Sequence, residues 1–296
     1  MYSLGNQGMR KVVSLFLIIL FSTLALINPI YATEREIVTL GSDLTPSQQQ
    51  EMLKYFGVEG KQVKIIKVTN EEERKYLEGL VPGREIGTRA ISSAYLQLLP
   101  EGEGILVDTH NITWVSKEMY ANAMITAGIK DARVVVAAPF KVSGTAALTG
   151  IMKAFEEATG KKLSEEAKKT ANEELVITGK LAEKVGEEKA AELLEKVKKE
   201  VIEKRLTDEN EIANVIKEVA SKLNINLTED QISQIVQLMK KINQLNLDIE
   251  TVKKQLEKIG ADVEKIKKTV EENKGILQKI LKAIQGFLDW LFSLFR

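Results

Sequence analysis

Ala132-Arg133-Val134-Val135-Val136-Ala137-Ala138-Pro139, then Val142-Ser143-Gly144-Thr145 and an apolar-periodic run to Ala158, is the stretch that decides the fold. A short run of small and β-branched residues without polar alternation reads as a strand covered on both faces, bounded here by Pro139. Ser143 reads as the N-cap of the helix that follows. Strand and helix in that order predict a mixed α/β domain, of α+β or α/β class, over residues 33–160. Earlier segments fit the same scheme. Ile37 to Leu40 reads as a strand, and Thr45-Pro46-Ser47-Gln48 places a capping threonine, a proline at the first helical position and a glutamine at the third. Val63 to Val68 is a second strand, and Asn70-Glu71-Glu72-Glu73 opens a second helix. Two further strands, Arg89 to Leu98 and Gly104 to Val115, flank the turn Pro100-Glu101-Gly102-Glu103, and this spacing predicts a hairpin. Met119 to Ile129 is helical.

Residues 161–247 read as a helical bundle. Ala167, Ala171, Leu175, Leu181 and Val185 recur at helical spacing, Leu193, Leu194, Val197, Val201 and Ile202 form another apolar face, and Asp208 to Glu211 and Thr228 to Gln231 open two more helices. Residues 248–296 form a heptad and amphipathic tail, although the heptad itself begins earlier. Its a positions are Ile235, Ile242, Ile249, Leu256, Val263, Val270, Leu277, Ile284 and Leu291. Its d positions are Leu238, Leu245, Val252, Ile259, Ile266, Asn273, Ile280, Phe287 and Leu294. Such a stripe must be covered by another helix. In a parallel pair Asp248 would face Lys253 and Asp262 would face Lys267, so one reading is a parallel homo-oligomer or coiled coil. The other is a hairpin folded back on the bundle, with Gly260 as its bend. From Ile276 onward the e and g positions turn apolar as well, Trp290 among them. That face suits burial in a bundle or contact with a membrane surface. Leu277, Ile280, Ile284, Phe287, Trp290, Leu291 and Leu294 are the candidate self-association or membrane residues.

At the other end, Arg10 and Lys11 precede the apolar run Val12 to Ile27, which ends at Asn28-Pro29 and Ala32. The run is short for a span and has the n-region, h-region and cleavage-site order of a signal peptide over residues 1–32. The expected location is therefore exported: extracellular or in the cell envelope, possible also as a peripheral protein on the outer face of the cytoplasmic membrane. The 296 residues carry 42 basic and 42 acidic side chains, one histidine and no cysteine. Disulfides, thiolate metal sites, cysteine nucleophiles and a lipobox are excluded. Balanced charge argues against nucleic acid as a partner.

Sequence alone offers little chemistry. No catalytic residue, metal site or cofactor is assigned. Asp108, His110, Ser143, Gly144 and Thr145 are the candidate ligand-binding residues, because Ser143-Gly144-Thr145 opens a helix whose backbone N–H groups suit an anion. Ser143, His110 and an aspartate supply the residue types of a triad, but no Gly-x-Ser-x-Gly elbow surrounds the serine. The plainer reading makes His110 a polar turn residue.

Arg89-Ala90-Ile91-Ser92-Ser93-Ala94-Tyr95, Ile125-Thr126-Ala127-Gly128-Ile129 and, above all, Ala138-Pro139-Phe140-Lys141-Val142-Ser143-Gly144-Thr145-Ala146-Ala147-Leu148-Thr149-Gly150-Ile151 resemble the exported bacterial proteins of the domain of unknown function 1002 (DUF1002, YpuA-like) family. The resemblance runs from the first strand to the helix near Leu247. It implies export and a cell-envelope setting, and it brings no activity, cofactor or catalytic residue. The expectation is a structural or interaction protein of the envelope. The alternative is an envelope enzyme or ligand-binding module with its site at the Ser143 helix.

Overall fold

The structure, a computed structural model, describes residues 36–80 and 86–259. Its strands are β1 (Glu36–Gly41), β2 (Lys64–Val68), β3 (Ser93–Leu98), β4 (Ile105–Ile112) and β5 (Ala132–Val142). They form one mixed sheet in the order β2-β1-β3-β5-β4, so the class is α+β. β1 runs parallel to β2 and antiparallel to β3.

The expected hairpin does not form. β5 inserts between its two arms, antiparallel to β3 and parallel to β4. A strand apolar on both faces gains most from a central position, whereas β4, with Leu106, Asp108 and Thr109 exposed, tolerates the edge. The 100–104 turn is tied to the start of β5 instead, because Asp131 Oδ1 accepts from Gly102 N at 3.0 Å and Gly104 N at 2.9 Å. β5 also continues through Pro139 to Val142 rather than stopping before it. The ladder is already interrupted there by a register shift at Asn111, whose side-chain amide donates to Ala138 O at 2.9 Å. A residue lacking an N–H is tolerated at such a break.

Around the sheet lie α1 (Pro46–Tyr55), α2 (Asn70–Leu77), α3 (Lys117–Thr126) and α4 (Thr145–Thr159). Thr45 and Gln48 cap α1 reciprocally, as their spacing predicts. For α2 the cap is Thr69, paired reciprocally with Glu72, and not Asn70. Ser116 caps α3, which ends before the expected Ile129 because Gly128 takes φ 85°. α1 covers one sheet face, Met52 packing with Val38, Leu40 and Ala137. α4 lies close on the other face. A Cβ at Gly150 would sit 2.5 Å from Thr39 Oγ1 and 3.2 Å from Val68 Cγ2, so only glycine permits that approach.

The remaining helices are α5 (Glu165–Val185), α6 (Glu187–Glu203), α7 (Glu209–Lys222), α8 (Glu229–Gln244) and α9, residues 249–259. One apolar cluster joins them to the sheet, from Val134 and Val136 through Leu148, Met124, Leu175, Leu194 and Ile216 to Leu238 and Leu256. Inside it sits an ion pair. Lys198 Nζ lies 2.6 Å from Glu174 Oε1, and donates to Asn122 O and Thr126 Oγ1 at 2.9 Å each, while Thr126 Oγ1 donates to Glu174 Oε2 at 2.5 Å.

The heptad stripe is not one helix. α8 ends at Gln244, Asn246 turns the chain with φ 48°, and Asp248 Oδ1 accepts from Thr251 N at 2.6 Å to start α9. Ile235, Leu238, Ile242, Val252, Leu256 and Ile259 are all buried in the chain's own core. Within this chain Asp248, which the parallel-pair reading sets opposite Lys253 of another copy, caps α9, and Lys253 pairs with Glu203 at 3.5 Å. The later heptads, with Leu277, Ile280, Ile284, Phe287, Trp290, Leu291 and Leu294, and residues 1–32, where a signal peptide is expected, lie outside the described residues. Among the described residues no helix is long and apolar enough to cross a membrane.

Candidate functional site

A polar cluster forms where β5 hands over to α4. Gly144, not Ser143, is the N-cap of α4, and it takes φ 97° with no side-chain cap. Glycine is required there, since a Cβ would come within 2.5 Å of Ile112 Cγ2 and Tyr120 OH. Tyr120, buried in α3, donates from its hydroxyl to Gly144 O at 2.5 Å and so holds the turn from below. Burial, reinforced by the nearby Glu73 charge, raises the Tyr120 phenol well above its usual range.

Thr145 Oγ1 donates to Glu73 Oε1 at 2.5 Å, and Asn70 Nδ2 donates to Glu73 Oε2 at 3.2 Å. Asn70 is itself held by Arg74 Nε at 2.9 Å, and Arg74 Nη2 reaches Gly87 O at 2.6 Å. Ser143 Oγ lies 3.3 Å from Thr145 Oγ1. Because the threonine proton goes to the carboxylate, the serine is the donor in that pair. The result is a hydroxyl chain, Ser143 to Thr145 to Glu73. Burial lifts the Glu73 carboxyl to about 6, against the opposing pull of its bonds from Thr145 and Asn70 and the Arg74 charge. A carboxylate tuned to that value accepts a proton near neutral pH. Thr145 and Glu73 are buried, so only the half-buried Ser143 end of the chain approaches solvent.

The sequence candidates therefore divide. Ser143, Gly144 and Thr145 stand together at the α4 start. Asp108 and His110 do not join them, since both lie in β4 and face the α1 side of the sheet. His110 is a strand residue rather than a turn residue, and its ring stacks on Tyr55 with centroids 4.6 Å apart. Asp108 meets Arg133 at 3.7 Å. No Ser-His-Asp triad assembles among the described residues.

Glu73, Asn70 and Tyr120 were missed from sequence. Glu73 sits in an acidic first turn that reads as a solvated, dipole-favoured helix start. Its spacing of four from Leu77 was the available signal, because it places both on the buried side of α2. A cavity of about 450 Å³ also opens between α2, α5 and α8. Two of its lysines are already paired, Lys75 with Glu165 at 2.7 Å and Lys241 with Glu173 at 2.6 Å.

The family described as "Protein of unknown function (DUF1002)" matches residues 40–259, from within β1 to the end of α9. The chain belongs to the DUF1002 family. The uncharacterized protein YpuA of Bacillus subtilis (strain 168) is 44% identical over 213 residues, covering 72% of this chain and 73% of YpuA. No solved structure matches the chain significantly. The DUF1002 match thus contains the whole Ser143–Thr145–Glu73 cluster and α9, and reaches past Leu247, where the sequence motifs gave out.

Proposed function

We propose that this DUF1002 protein is exported and serves in the cell envelope as an interaction protein, held at a membrane surface by residues 260–296. The observation that supports the reading is a change within one apolar pattern. As far as Ile259 six of its a and d residues, Ile235, Leu238, Ile242, Val252, Leu256 and Ile259, are buried in the chain's own core, with Leu245 and Ile249 half-buried at the turn, and its charges have internal partners in Glu203 and the α9 start. Beyond Ile276 the pattern widens to the a, d, e and g positions and carries Trp290, Lys279, Lys282 and Arg296, a composition suited to anionic lipid. The test compares chains 33–296 and 33–259 by flotation with vesicles of anionic phospholipid. The longer chain should float and the shorter stay behind with an unchanged melting temperature. Equal behaviour of the two would reject the reading.

A second reading is a ligand-binding or catalytic module. The Ser143–Thr145–Glu73 hydroxyl chain favours it, because it joins a half-buried hydroxyl to a carboxylate of raised pKa. A thermal-shift screen with anions and envelope polymers tests it, since a ligand bound to the folded state raises the melting temperature. A shift seen in the natural chain and lost in Ser143→Ala would support this reading, and no shift with any compound would count against it.

A further inference from the structure

We infer that a second copy of this chain exchanges α9 with the first, the turn at 245–248 straightening so that α8 and α9 become one helix. The inference goes beyond surface attachment and uses none of the residues after Ile259. It begins with the heptad. Ile242 and Ile249 are one heptad apart, and Leu245 and Val252 are as well, so the a and d positions keep step across a break that is not helical. Two helices joined by a turn have no need of a shared register, whereas one continuous helix does. No glycine or proline stands between Glu229 and Ile259 to forbid that helix.

The turn itself is lightly held. It depends on Asn246 at φ 48°, a left-handed conformation in a residue other than glycine, and on the Asp248 cap of Thr251. A cavity of about 400 Å³ lined by Ile202, Ile242 and Ile249 lies on one side of it, and one of about 260 Å³ lined by Ile125, Val252 and Gln255 lies on the other. Leu247 reaches both. Gln255 Nε2 bonds Asp131 Oδ1 at 3.1 Å, but its buried Oε1 has no partner. Short hinges of this kind favour exchange of an element between identical chains, because every contact of the closed form is remade in the exchanged one. For α9 those contacts are the burial of Val252, Leu256 and Ile259 and the pairs Lys253–Glu203 and Lys199–Glu257.

The experiment mixes two single variants of chain 33–296, Glu203→Cys and Lys253→Cys, at high concentration and adds a short bifunctional maleimide. The natural chain has no cysteine, and both positions are partly exposed, so folding is preserved. A covalent dimer joining 203 of one copy to 253 of the other is the expected product. Adding Asn246→Ala with Asp248→Ala, which weakens the turn, should raise its yield several-fold, and adding Asn246→Gly, which relaxes the left-handed residue, should lower it. Absence of the 203–253 product in every mixture overturns the inference. Dimers in light scattering without that product also overturn it and assign self-association to another surface. Flotation of chain 33–296 is read separately, so the attachment reading stands or falls on its own.

Discussion

Lys198 Nζ lies 2.6 Å from Glu174 Oε1 with both side chains sealed from solvent between α3, α5 and α6. Burial pulls the lysine pKa down, and the glutamate opposes it. Thr126 and the Asn122 carbonyl complete the shell, so neither charge is left to polarise apolar neighbours alone. Lys198→Met leaves Glu174 buried without its cation and should lower stability by about 3–5 kcal/mol in urea unfolding. Adding Glu174→Leu should return most of that loss. A double variant no more stable than the single one would contradict a coupled pair.

Glu73 makes stability depend on pH. Its folded pKa of about 6 exceeds the unfolded carboxylate value of ~4.3, so the folded state binds the proton more tightly. Its contribution is fully present below the unfolded value and is lost as pH rises through 6, about 2 kcal/mol in all. Glu195, which burial raises to about 7, acts in the same direction up to that pH. Glu73→Gln should therefore gain about 2 kcal/mol relative to the natural chain between pH 4.5 and pH 7. A constant difference between the two across that range would refute the assignment.

Gly41 and Gly57 predict contrasting outcomes for the same substitution. A methyl group at Gly41 would run into the Ala90 carbonyl, which is backbone and cannot swing away. Gly41→Ala should cost about 3 kcal/mol through overpacking. Gly57 has nothing near its missing Cβ and differs only in φ 68°. Gly57→Ala should cost about 1 kcal/mol from backbone strain alone. Thermal unfolding of the two variants distinguishes them, and equal losses would argue against the β1 contact.

Leu256 belongs to the apolar stripe yet is buried within its own chain. Leu256→Ala should cost about 2–5 kcal/mol, as for a core leucine. In chain 33–259 at low concentration that loss should not change on further dilution. A loss that fades on dilution would place Leu256 in a contact between molecules.

The local signals in the sequence carried a good deal of the fold. Thr45 and Gln48, and Thr228 and Gln231, form the reciprocal caps their spacing predicts. The run Val134 to Ala138 marked a strand covered on both sides. Sheet order was not legible, because the Pro100–Glu103 turn looks the same whether its flanking strands pair with each other or with a third arriving later. Ser143 and Thr145 were visible as a helix start, but their partner Glu73 comes from tertiary packing of α2 and lies 72 positions from Thr145. The turn at Asn246 was hidden by the unbroken heptad around it. Only the tolerance of asparagine for left-handed backbone hinted at it.

The position of β5 governs the order of assembly. Any polypeptide ending before Ala132 lacks the ribbon to which both β3 and β4 bond, so β4 has nothing to dock on and β3 keeps one flank open. A nascent chain emerging from the ribosome, or threading through a narrow channel, must stay unpaired there until nearly half its length has passed. β1, β2 and β3 can pair before that point, but β4 can join the sheet only after it.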